Sequence, residues 1–141
     1  VLLPEPLALF PSRLPAVFAI LEEESLDLRT RIRGLVLAFA DHIIKHPGFV
    51  KTFIGMIAHG DEPPIVAAIQ LTRHRRRMFD LVKIWWGESD EKVNITLVQM
   101  FSAIIYPTIV GEKMKTYYEI PYSDPEFRRV YLEQLLDRYG L

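Results

Sequence analysis

Five consecutive residues, Arg73-His74-Arg75-Arg76-Arg77, carry the densest charge in the chain and interrupt an apolar helical pattern. Wound at about 3.6 residues per turn, they radiate in every direction and make no basic stripe. The whole chain balances them to a net charge of -1, so the footprint of a nucleic-acid surface is missing. Arg75 matters most by position. Ala68, Leu71, Met78, Phe79, Val82 and Trp86 form the apolar face of this stretch, and the period puts Arg75 in its middle, with Arg73, Arg76 and Arg77 outside. A guanidinium turned toward a core stays charged and needs an anion. Two partners would serve: an acidic neighbour within the fold, or the carboxylate or phosphate of a ligand at the mouth of an apolar pocket.

His42 and His46 are four apart and share a helix side with Phe39 and Ile43. Such spacing can chelate a metal, but no His-Glu-x-x-His or Glu-x-x-His occurs, so neither a metal nor a cofactor is expected. Their remaining readings are helix-end histidines, with His46 complementing the helix dipole, or pocket lining. Gln99, Ser102 and Tyr106 form a mild polar stripe. Beside it, Pro107 has no N–H for the carbonyl of Ala103. That acceptor can orient a ligand, or be satisfied by water or a facing helix. Met56, Met78, Met100 and Met114, with Phe39, Phe53, Phe79 and Phe101, suit an adaptable apolar interior. The candidate ligand-binding residues are therefore Phe39, His42, His46, Met56, Arg75, Phe79, Gln99 and Tyr106. No Ser-His-Asp order, nucleophile elbow or glycine-rich phosphate loop is present, and Asp41 points away from its neighbour His42. The chain does not read as an enzyme.

The elements that must position these residues read as helices divided by proline and glycine, with no strand. Pro4, Pro6 and Pro11 argue against a continuous helix over residues 1–11, which read as a linker or remnant before a domain of residues 12–141. Ser12 is placed to cap a helix from Arg13 to about Glu24. Further helices are expected over Leu26 to His46, Phe49 to His59 and Ile65 to Trp86, with stops at Pro47-Gly48, Gly60 and Gly87. Ser89-Asp90-Glu91 then opens a helix running to about Tyr117, bent at Pro107. Ser123-Asp124-Pro125-Glu126 is a capping box for a last helix ending near Tyr139.

Within that fifth helix, Val93 to Gly111 runs nineteen residues without a charge. Apolar side chains fall on every side, which calls for burial all round. A chain of 141 residues cannot easily enclose one helix alone, so a second copy of the chain is the expected cover. Length alone would also permit a membrane span, but Asn94, Thr96, Gln99, Ser102, Pro107 and Thr108 dilute the segment and no charge asymmetry flanks it. Half the residues are hydrophobic, a quarter are charged and none is cysteine, the profile of one soluble globular domain. Missing disulfides and the absence of a basic apolar leader point to the cytoplasm.

In order, LFPSRLPAVFAILEEE, LRTRIRGLVLAFADHIIKHPGFVKTFI, and the pair MFSAIIYPTIVGEKM and PEFRRVYLEQLLDRYG resemble the effector domain of TetR-family transcription regulators. The first is similar to the segment that follows the family's recognition helix, although Leu9 replaces an aromatic and Arg13 a lysine. The resemblance implies an all-α, orthogonal-type bundle of about six helices. Its last two long helices would build a four-helix homodimer interface, here with Phe101, Ile105, Ile109, Tyr131 and Leu135. It also implies a small, mainly apolar and plausibly anionic effector, and DNA contact only through an N-terminal helix-turn-helix that this chain lacks. A helical protein-interaction module without a small ligand is the alternative.

Overall fold

A computed structural model describes residues 5–61 and 65–141, with side chains described for residues 12–61 and 72–141. Among them the chain is all-α: α1 Glu5–Phe18, α2 Leu28–Lys45, α3 Pro47–Ala58, α4 Ile65–Trp86, α5 Asp90–Val110, α6 Lys113–Tyr118 and α7 Pro125–Arg138, with a 3-10 turn at Ala19–Glu22 after α1. Short side chains cap the starts of three helices, α2, α5 and α7. The Asp27 carboxylate accepts the Thr30 N–H at 2.7 Å, the Ser89 hydroxyl accepts from Lys92 at 3.4 Å, and the Asp124 carboxylate accepts from Glu126 at 3.1 Å. Each satisfies an N–H that the first helical turn leaves without a partner. The Thr30 N–H also holds the Asp27 carboxyl below its ordinary pKa.

Two helix limits depart from expectation. α1 begins at Glu5 and carries Pro6, Pro11 and Pro15 within it. Pro6 falls in the first turn, where a missing N–H loses nothing; the helix then ends at Phe18 instead of reaching Glu24. The long uncharged helix divides in two, because Gly111 takes a φ of 62°, a conformation open to glycine, and donates to the Pro107 carbonyl at 2.9 Å. α6 follows as a separate short helix, giving seven helices where about six were expected.

α5 is the hub, packed against α2, α3, α4, α6 and α7. It is long and apolar enough to cross a bilayer, and one of its faces is core: Val93, Leu97, Met100, Ile104, Pro107 and Thr108 are buried. Val93, Leu97, Met100 and Ile104 join Ile32, Leu35, Val36 and Ile43 of α2, Val82 of α4 and Leu136 of α7 in one continuous cluster. Each of these aliphatic side chains contributes about 1.5–3 kcal/mol on burial. As expected for one copy of the chain, α5 is not covered on all sides: Ile95, Val98 and Tyr106 are 51%, 62% and 50% exposed. The chain has too few helices to cover the whole circumference of its central one.

Polar ties brace the ends. The indole N–H groups of Trp85 and Trp86 donate to the carbonyls of Gly140 and Tyr139, fastening the end of α4 to the end of α7. Arg33 of α2 pairs with Glu133 of α7. The Ala103 carbonyl left without a helical donor by Pro107 accepts the hydroxyl of Tyr131 from α7, so a facing helix satisfies it.

Candidate functional site

Helices α1 to α5 line a partly open apolar cavity of about 180 Å³. α1 supplies Phe18, and α2 supplies Phe39 and Ile43 on one helical face. α3 adds two stripes four residues apart, Phe49 with Phe53 and Val50 with Ile54, while α5 closes the far wall with Phe101 and Ile105. The rings lock one another. Phe39 meets Phe18 edge-on at 6.0 Å and Phe101 edge-on at 5.3 Å, and Phe49 stacks on Phe53 at 5.7 Å. Such offset and edge-to-face pairs keep aromatic walls rigid. A void of this kind, with apolar walls, holds water poorly and apolar molecules well.

One polar side chain reaches the lining, Arg75 of α4, and it is the exposed member of the set. Its guanidinium donates to the Asn94 side-chain carbonyl of α5 at 3.0 Å. The expectation that Arg75 sits at the centre of the buried face of α4 is therefore corrected. The buried positions are His74, Met78, Phe79 and Val82: three belong to the expected face, and that face is turned toward His74 by a fraction of the roughly 100° step between neighbouring residues. A neutral imidazole is far cheaper to bury than a guanidinium that cannot lose its proton. His74 lies 5% exposed, stacked on Phe18 at 4.4 Å, and neither ring nitrogen has a hydrogen-bond partner among the described residues. Burial, reinforced by the charge of Arg73, pushes its pKa below the ordinary 6.5. Nothing in the sequence marked His74 apart from its place in the basic run. The other members of that run are surface groups: Arg76 faces Asp80 at 3.9 Å and lies over the Phe79 ring at 5.9 Å, and Arg77 pairs with Glu22.

Of the eight ligand-binding candidates, Phe39 and Arg75 line the cavity and the others do not. His42 is buried and His46 half-buried on α2, outside the cavity lining, with rings 4.8 Å apart. Burial and the neighbouring His42 lower the pKa of His46. No group of three or more possible metal ligands exists among the described residues. Met56 is half-buried on α3, and Phe79 packs into the core under Arg76. Gln99 and Tyr106 lie on the exposed face of α5. Gln99 accepts the Tyr139 hydroxyl at 3.0 Å. The Tyr106 hydroxyl shares a 2.7 Å hydrogen bond with that of Tyr118, which raises its pKa.

The residues assigned to a dimer contact divide differently. Phe101 and Ile105 turn inward and line the cavity. Ile109, Tyr131 and Leu135 are half-buried against the core cluster. The outward stripe of α5 is instead Ile95, Val98, Ser102 and Tyr106. The aromatic pair Phe49 and Phe53 and the wall residue Phe18 were missed as lining. Their four-residue repeat in α3 was the available signal, but it reads equally as core. No family model, curated protein or solved structure matches this chain.

Proposed function

We propose that the chain is the ligand-sensing and dimerising domain of a TetR-like, cytoplasmic transcription regulator, binding a small and mainly apolar effector. The observation that carries this reading is the apolar cavity lined by five helices, with phenylalanines from α1, α2, α3 and α5 in its wall. A pre-formed apolar space with one polar group at its open side is the usual form of a small-molecule site. The order of segments in the sequence supports the family, and the exposed apolar stripe of α5 supports a second copy as its cover. α7 adjoins that stripe through the Tyr139–Gln99 hydrogen bond, so the dimer surface would comprise α5 and α7. Filling the cavity would favour one spacing of α1 relative to α4 and α5. In the intact regulator that preference shifts the population of DNA-reading arrangements, provided the effector binds one arrangement better than the other.

Sedimentation equilibrium, combined with calorimetric titration of octan-1-ol, tests both halves. A dimer that binds the alcohol supports the proposal. A monomer at every concentration that does not bind it refutes the proposal and favours the alternative, a helical module that presents Ile95 and Val98 to another protein.

A further inference from the structure

We infer that the effector is a monocarboxylate with an apolar tail of about six to eight carbons, its carboxylate on Arg75 and its tail among the phenylalanines; this rests on the cavity being a ligand site. Arg75 is the arginine that reaches the cavity lining. The next two along α4, Arg76 and Arg77, each face a carboxylate. Arg75 has the neutral Asn94 carbonyl as its hydrogen-bond partner, and no carboxylate pairs with it among the described residues. One guanidinium N–H is engaged there, and the planar fork keeps further donors for an incoming anion. The Asn94 amide nitrogen is a second donor within the same pair.

The rest of the lining is apolar, so a second charged end on the ligand would be buried without a partner. One guanidinium neutralises one charge, which favours a carboxylate over a phosphate dianion. Size bounds the tail: an apolar cavity of about 150 Å³ accepts benzene, and this one is about 180 Å³.

Calorimetric titration of the full chain with octanoate, octan-1-ol and octylamine separates the contributions, since the tails are the same and only the head differs. Octanoate should bind about tenfold more tightly than octanol, the effect of one charge-assisted contact at an exposed position, and octylamine most weakly. Arg75→Gln should abolish that preference while leaving octanol affinity unchanged. Asn94→Asp should do the same with Arg75 still present, because its carboxylate would occupy the guanidinium and repel the ligand. Equal affinity for octanoate and octanol in the natural chain, or full octanoate affinity in Arg75→Gln, overturns the carboxylate assignment and leaves the cavity as an apolar site. Failure of all three probes to bind overturns the ligand site itself.

Discussion

Replacing His74 with phenylalanine should stabilise the fold, and more so in acid than in base. The ring lies 5% exposed, stacks on Phe18 with planes 24° apart, and has both nitrogens without partners among the described residues. An unpaired buried polar group costs about 1–3 kcal/mol. A phenyl ring keeps the stack and removes that penalty, while fitting a slightly larger ring returns about 1 kcal/mol. The net gain expected at about pH 8 is therefore of the order of 1 kcal/mol. The sign of the pH dependence follows from the lowered pKa of His74. Between the ordinary 6.5 and the lower folded value, the unfolded chain binds more protons than the folded one. The natural protein thus loses stability as pH falls below about 7, and the loss levels off once the folded-state histidine is also protonated. The phenylalanine variant lacks this contribution, so its advantage should widen between about pH 8 and about pH 5.5. His46, lowered by burial in the same direction, keeps a residual slope in both proteins. Urea unfolding followed by the fluorescence of Trp85 and Trp86 measures the difference at each pH, with equal m-values as the check that both proteins unfold alike. A variant less stable at the higher pH, or one whose pH slope equals that of the natural protein, would refute the account of His74 as a neutral, unpaired core group.

Tyr131→Phe removes the hydroxyl that serves the Ala103 carbonyl, and thermal unfolding should register a loss of about 1–2 kcal/mol. Ile105→Trp places a large ring in the cavity that Ile105 lines; octan-1-ol affinity should fall by at least tenfold with little change in melting temperature, and undiminished affinity would place the alcohol elsewhere. Val98→Glu, at a position 62% exposed, should convert a dimer to a monomer in sedimentation equilibrium while the circular dichroism spectrum stays helical. Glutamate at Ile109 or Leu135 is a poorer probe, because both pack on the core cluster and would lose folding along with association.

How much was legible differs between fold and site. The limits of α4 and the start of α5 after Ser89 match the expectation closely, and α7 starts where expected although Asp124, and not Ser123 in a capping box, is its cap. Their caps, prolines and glycines act over a few residues and need no tertiary partner. α1 escaped because its prolines argue against a helix: Pro6 falls in the first turn, where no N–H is needed, but Pro11 and Pro15 lie in the interior and cost the helix hydrogen bonds. The break at Gly111 escaped because a helical pattern continues across it on either side. The cavity was legible only in part. Phe39 and Arg75 belong to it, whereas Gln99 and Tyr106 turn outward and Phe101 and Ile105 turn inward.

The sequence by itself determined an all-α chain and where most of its helices start, because capping and backbone breaks are local interactions written in neighbouring residues. The tertiary structure decided the rotation of each helix about its axis. Neighbouring residues are about 100° apart, and on α4 a turn of only part of that step puts His74 inside beside Phe18 and leaves Arg75 exposed at the cavity wall. On α5 it separates the stripe that lines the cavity from the stripe that faces out. A helix that is apolar all round carries no signal for this choice; only the helices packed against it make one face the core and leave the other exposed.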